Sequence, residues 1–190
     1  MSEPIRITTP LSDADVERLA AGDPVLISGA VLTARDAAHR RLFDLLQAGE
    51  ELPVDLAGQI IYYVGPTPPR PGAVIGSAGP TTAGRMDAYT PALLAQGLKG
   101  MIGKGLRSPE VIEALRAHRA VYFAGIGGAA AVLAGHVKAA EVVAYPDLGT
   151  EAIRRLVLAD FPAVVANDCR GGDLYREAPQ AFRGTKGSEK

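Results

Sequence analysis

A chain of 190 residues that is 47% apolar has enough material for one well-packed domain. Its 20 Lys and Arg against 21 Asp and Glu leave a net charge of -1, so nothing general in its electrostatics favours nucleic acid or an anionic membrane, and recognition of an anion has to be local. One cysteine, Cys169, excludes an intrachain disulfide framework and cannot alone supply a thiolate metal or iron–sulfur site; no apolar run approaches the about 18 to 20 residues of a membrane span and the opening residues lack a signal-peptide core, so a cytoplasmic protein is expected.

In chain order, Ser12 is a plausible cap for a short helix over 13–20. The branched apolar run 24–31 reads as a strand, and 36–47 places Ala37, Leu42, Phe43, Leu45 and Leu46 near one helical stripe. Strands are expected over 59–64 and 73–77, separated by a stiff loop whose prolines at 66, 68, 69 and 71 rule out continuous regular structure. A helix over 86–96, a strand over 100–103 and a helix from the Ser108 cap to about residue 118 follow, with Pro109 suited to the first turn. Strand 121–124, helix 128–136, strand 141–145, helix 150–159 and strand 163–166 continue the alternation, which predicts an α/β domain with a largely buried sheet. Residues 1–175 form that domain in this reading, and 176–190 a polar, flexible tail.

The stretch from Gly76 to Asp87, Gly-Ser-Ala-Gly-Pro-Thr-Thr-Ala-Gly-Arg-Met-Asp, carries the densest chemistry. Glycines allow backbone N–H groups to approach a ligand, a following helix presents its positive end, and Arg85 can grip a carboxylate or phosphate with paired hydrogen bonds. From Gly79 to Met86 the glycine spacing is that of a nucleotide P-loop, but Arg85 stands for the phosphate-binding Lys and Met86 for the magnesium-binding hydroxyl, which argues against nucleotide hydrolysis. The residues alone leave two readings, a small-anion site or a glycine turn in which Thr81 or Thr82 caps a helix.

Gly125-Ile126-Gly127-Gly128-Ala129-Ala130 satisfies a dinucleotide-type pattern, with Asp147 where a ribose-binding acid could sit; close helix–sheet packing is the more ordinary reading of the same glycines. Arg35 follows a strand at a helix start, in the same setting as Arg85, so the two could bind the two ends of a dicarboxylate. Lys104, flanked by Gly103 and Gly105, has comparable logic, although alone each cation reads as a surface group. His39 lies one turn beyond Arg35, while His118 and His136 suit surface or helix-end roles and no His has a metal-ligand partner at helical spacing. Asp168 could orient a site group or close a strand-end turn, and Cys169 beside it reads as incidental.

The 76–87 stretch followed by Gly103-Lys104-Gly105, together with Thr33-Ala34-Arg35-Asp36-Ala37-Ala38-His39, the 125–130 glycines, Leu148 to Ala152 and Asp160-Phe161-Pro162, resembles the β subunit or C-terminal domain of class I fumarate hydratases and related tartrate dehydratases. The resemblance covers about residues 5 to 175. It implies a swivelling β/β/α-type single domain that closes over a four-iron, four-sulfur cluster held by a separate cysteine-bearing α subunit or N-terminal domain, with no metal bound by this chain alone. It implies a hydro-lyase, fumarate to L-malate or a tartrate or methylated-fumarate equivalent, and a hetero-oligomer such as a doubled αβ pair. Arg35, Arg85 and Lys104 match substrate-binding positions and Thr81 the threonine assigned to proton transfer; Thr82, His39 and Asp168 are candidate supports. The competing expectation is a stand-alone dinucleotide-binding protein using Gly125, Gly127 and Asp147.

Overall fold

The computed structural model describes residues 3–125 and 128–185. In chain order these form β1 (Ile5–Thr8), α1 (Asp13–Glu17), β2 (Pro24–Thr33), α2 (Asp36–Ala48), β3 (Ile60–Tyr62), α3 (Thr90–Leu94), β4 (Gly100–Gly103), α4 (Pro109–Ala117), β5 (Val121–Gly125), α5 (Ala130–Gly135), β6 (Val137–Ala144), β7 (Ile153–Asn167) and α6 (Leu174–Thr185). Short 3-10 turns cover Ala83–Met86 and Pro146–Glu151. No helix among the described residues is long and apolar enough to cross a membrane.

The sheet order is β1-β2-β3-β4-β5-β7-β6, and a further pairing of β2 with β7 closes β2, β3, β4, β5 and β7 into a five-stranded barrel. Strands β1 to β5 pair in parallel, whereas β7 runs antiparallel to β2, β5 and β6. The carboxyl ends of β2, β3, β4 and β5 therefore open on one edge. In α/β sheets that edge is where ligands bind.

Alternation along the strands separates two cores. Tyr62, Ile102 and Phe123 join Ile27, Val31, Phe161 and Val165 in the barrel interior. Their chain neighbours Tyr63, Met101 and Tyr122 face the other way, under Leu42 of α2, Leu93 of α3 and Leu115 of α4. Helices α1 and α4 start where the sequence signals them: Ser108 accepts from the Val111 amide at the start of α4, and Ser12 forms a reciprocal capping box with Asp15.

Three expectations are corrected. Residues 150–159, expected as a helix, pass from a 3-10 turn into β7. Ile153 and Leu156 share a helical spacing, but Leu156, Leu158, Phe161, Ala163 and Val165 are buried in a strand rhythm, and the partners on both sides supply the ladder. The break in that rhythm is a bulge: Ala159 and Asp160 stand opposite Ser28, with Asp160 at φ 49° and its amide donating to Ser28 Oγ at 3.0 Å. Residues 73–77 form a loop rather than a strand, tied to Thr67 through the Gly76 and Ser77 amides and the Ser77 carbonyl. The helix expected over 86–96 is shortened to the 3-10 turn and the five residues of α3. Beyond residue 175 the chain continues as α6 to Thr185, and 186–190 lie outside the described residues.

Candidate functional site

At the end of β2, Arg35 sits at the N-cap of α2, where its side chain makes no capping bond. Its Nη2 lies 3.5 Å from Glu151 and 3.9 Å from Asp36, and its Nε is buried without a hydrogen-bond partner among the described residues. The guanidinium rests on the chain leaving β3, where a Cβ on Gly65 would stand 2.7 Å from Arg35 Nη1. Glu151 also accepts from the Ala37 amide at 2.9 Å, which satisfies one of the free N–H groups opening α2.

Arg85, on the 3-10 turn after the glycine loop, places Nε 2.8 Å from Oδ1 of that same Asp36. Two cations separated by 50 residues of chain thus converge on one carboxylate. Asp36 is the member of this cluster not expected from sequence, because an acid at the start of a helix reads as ordinary N-terminal chemistry.

Thr81 and Lys104 are joined by backbone. The Thr81 amide donates to the Tyr63 carbonyl at 2.7 Å, the Lys104 amide to the Thr81 carbonyl at 3.1 Å, and the Ala83 amide to the Lys104 carbonyl at 2.8 Å. Thr82 and Lys104 pair as a parallel bridge, so residues 81–83 extend the end of β4. Thr81 is half-buried, whereas Thr82 and Lys104 are exposed. Gly103 is required where these segments meet, since a Cβ there would lie 2.9 Å from Tyr63 and 3.1 Å from Ala83.

Beneath this edge lies a buried cation that the sequence did not flag. The Arg107 side chain is 0% exposed; Nε donates to Asp87 at 2.8 Å, Nη2 to Thr90 Oγ1 at 2.7 Å and Nη1 to the Tyr63 hydroxyl at 3.3 Å. The guanidinium stacks on Tyr63 and Tyr122, with 5.4 and 5.0 Å to the ring centroids. Burial opposes its charge, but the contacts to Tyr63 and Asp87 carry its pKa above the ordinary arginine value. A lone Arg before a helix cap gives no sequence signal of such an environment.

His39 is buried against Tyr63, with ring centroids 5.2 Å apart. Its Nδ1 lies 2.9 Å from the Arg35 carbonyl, which can only accept, so Nδ1 carries the hydrogen, and the buried Nε2 has no hydrogen-bond partner among the described residues. Burial lowers its pKa to about 4, so the ring is neutral near pH 7.

Asp168 is not brought to this edge. It follows β7 at the amino ends of β2 and β5, where its carboxylate accepts from the amides of Ala21, Arg170 and Gly172, each at 2.9 Å. Burial would raise its pKa; those amides outweigh it and hold the carboxyl below its usual value. Cys169, half-buried beside it, has a thiol pushed up by burial. His118 and His136 stand at the ends of α4 and α5. Among the described residues, no group of three or more His, Cys, Asp or Glu could hold a metal ion.

The glycines after β5 favour packing. A Cβ on Gly125 would meet Pro80 at 3.2 Å, and one on Gly79 would meet Ala130 at 3.0 Å. Gly127 lies outside the described residues. The strand that follows α5 is not the neighbour of β5, because β7 lies between them, and Asp147 is engaged by both terminal nitrogens of Arg41 at 3.0 and 2.6 Å. A dinucleotide unit places its acid at the end of an adjacent parallel strand.

The family model described as fumarase C-terminus matches residues 1–178. The chain is 44% identical over 153 residues to the aerobic class I fumarate hydratase of Escherichia coli (strain K12), covering 80% of this chain and 28% of that protein. It is 39% identical over 156 residues to fumarate hydratase 2 of Leishmania major, covering 81% and 28%. Over 173 residues it is 37% identical to a putative L(+)-tartrate dehydratase subunit beta of Methanocaldococcus jannaschii, covering 88% of this chain and 89% of that one. The chain therefore spans 28% of the two fumarate hydratases and most of the smaller subunit.

Proposed function

This chain belongs to the fumarase C-terminus family, and on that footing we propose that it is the β-type half of an iron–sulfur hydro-lyase that interconverts fumarate and L-malate. The observation that carries the reading is the convergence of Arg35 and Arg85 on Asp36, on the edge where Thr81 and Lys104 are laddered together. A four-carbon dicarboxylate needs cations at both ends. Addition of water across its double bond, or the reverse, also builds negative charge next to a carboxylate, and fixed cations offset that charge as it forms.

In this reading Arg35, Arg85 and Lys104 bind the substrate and Thr81 moves the proton at the carbon that gains or loses it. A threonine hydroxyl is a weak base, so this role needs a site that is dry and lined by cations once a partner covers the edge. Thr81 supplies a fixed starting point, its backbone held on both sides. Thr82 and His39 support the site through the backbone, and residues 1–175 act as the swivelling β/β/α-type unit that carries it, with 176–190 as an appendage.

Among the described residues none group into a cluster site, and the sequence has one cysteine. Cys169 lies beside Asp168, at the barrel end away from Thr81 and Lys104. The four-iron, four-sulfur cluster is therefore assigned to a cysteine-bearing α partner, where it would contribute Lewis-acid activation, and this chain alone is expected to be inactive. The match to most of a subunit named for L(+)-tartrate dehydratase supports a two-subunit organisation and makes tartrate the second substrate reading.

Co-expression with a cysteine-bearing partner tests the proposal. A brown, oxygen-sensitive complex that hydrates fumarate, beside an inactive isolated chain, is the expected result. Tight nicotinamide binding by the isolated chain, or a cluster-loaded complex inert towards fumarate and tartrate, would overturn it.

A further inference from the structure

We propose that Arg107 is the positioning residue of this edge, setting Thr81, Arg85 and Lys104 in register from beneath without touching substrate. The inference rests on the reading that those three residues form the dicarboxylate site. Three chains of contact lead out from the one guanidinium. Through Tyr63, whose hydroxyl accepts from Nη1, it reaches the carbonyl that holds the Thr81 amide. Through Asp87 and Thr90 it reaches the carboxyl end of the 3-10 turn bearing Arg85: Asp87 is the C-cap of that turn, and Thr90 Oγ1 donates to the Met86 carbonyl at 2.9 Å. Through Tyr122, on which it stacks, it reaches the Gly105 carbonyl, one residue beyond Lys104, to which the Tyr122 hydroxyl donates at 3.1 Å.

Asp87 closes the arrangement by accepting from the Ser108 amide at 2.6 Å, so the strand-to-helix turn that delivers Arg107 is locked to the turn that delivers Arg85. The planar fork is essential to this geometry. Three hydrogen bonds leave three different nitrogens in one plane while both aromatic contacts are kept, and a lysine ammonium in the same space could serve only part of that set. A buried aliphatic residue could fill the volume but would remove the donors that Arg107 supplies to Asp87 Oδ1 and Thr90 Oγ1.

Arg107→Lys and Arg107→Met are compared with Leu115→Ala, a core truncation in α4 that destabilises the same helical layer but removes none of the Arg107 hydrogen-bond or stacking partners. In the full chain, hydrogen exchange is read at the amides of Thr81, Ala83 and Lys104 and at those of Ile27 and Val31 in β2. The expected result for Arg107→Lys is exchange about tenfold faster at the first three and unchanged in β2. In the complex with the cysteine-bearing partner, kcat/KM for fumarate falls about tenfold or more in both Arg107 variants, while Leu115→Ala keeps the parent kcat and KM at temperatures where it is folded. Uniformly faster exchange throughout the chain, or parent kinetics in Arg107→Lys, would overturn the positioning role. If Arg85→Ala leaves fumarate turnover untouched, the dicarboxylate reading itself falls, and the exchange measurement still reports whether Arg107 holds the three segments.

Discussion

Nε of Arg85 lies 2.8 Å from Oδ1 of Asp36, an ion pair that joins the glycine loop to the start of α2. Because Asp36 also faces Arg35, its carboxylate offsets the repulsion between the two guanidiniums. The Arg85 side chain is 51% exposed, so the pair contributes little to stability, and its value is geometric. In the proposed site, engaging Nε leaves the two terminal nitrogens of Arg85 as the edge that would meet a substrate carboxylate.

Asp36→Asn is expected to leave the melting temperature within about 2 °C of the parent. The same variant should lower kcat for fumarate about tenfold in the assembled enzyme, because the arginines lose their common reference. Parallel melting and steady-state assays check this, and unchanged kcat would remove Asp36 from the site.

The two adjacent threonines separate by role. Thr81→Ala is expected to cost about a hundredfold or more in kcat, the range of a lost proton-transfer group, and Thr81→Ser to restore part of it. Thr82→Ala, which removes an exposed side chain, should stay within about twofold. Equal effects from the two alanine variants would reject the assignment.

His39 ties acid sensitivity to the site. Its pKa is about 4 in the fold against 6.5 for the free side chain, so below pH 6.5 the unfolded chain takes up a proton that the folded chain refuses. The stabilisation is complete above pH 6.5 and is lost as pH falls towards 4, amounting to on the order of 3 kcal/mol across that window. Denaturant unfolding at pH 7 and pH 4.5 should show the loss in the parent and a much flatter response in His39→Gln. An equal slope in both would place the acid sensitivity elsewhere.

Gly103 shows how tightly the edge is packed. Gly103→Ala puts a Cβ 2.9 Å from Tyr63, 3.1 Å from Ala83 and 3.3 Å from Tyr122, in a layer where all three are fully buried. A loss of about 1 to 3 kcal/mol in unfolding free energy is expected, with turnover reduced as well, because Tyr63 holds Thr81. Denaturant midpoints check it, and parent stability would contradict the contact geometry.

Much of this was legible in sequence wherever local signals agree with tertiary ones. Strand β2, helix α2, strand β4 and helix α4 carry their own periodicity, caps and glycine punctuation, and they deliver Arg35, Lys104 and the loop bearing Arg85 to one edge. What escaped depended on partners distant in the chain. Residues 153–159 form a strand because β2 and β6 flank them, which no local period reveals. The barrel closure is likewise a long-range pairing, of β2 with β7. Asp168 and Asp36 are both acids at element ends, and only the register shows that the first lies at the far end of the barrel and the second between two arginines. Arg107 was invisible because its meaning lies in Asp87, Tyr63, Thr90 and Tyr122, scattered over 60 positions of chain.

The most direct test of the central claim is fumarate hydration by the partner-bound chain carrying Arg85→Ala, with iron and sulfide content measured on the same sample. Full cluster content and a kcat/KM reduced at least about a hundredfold are expected, the proposed bidentate contact of Arg85 with the substrate carboxylate being removed. Parent-level kcat/KM in a cluster-loaded Arg85→Ala complex would contradict it.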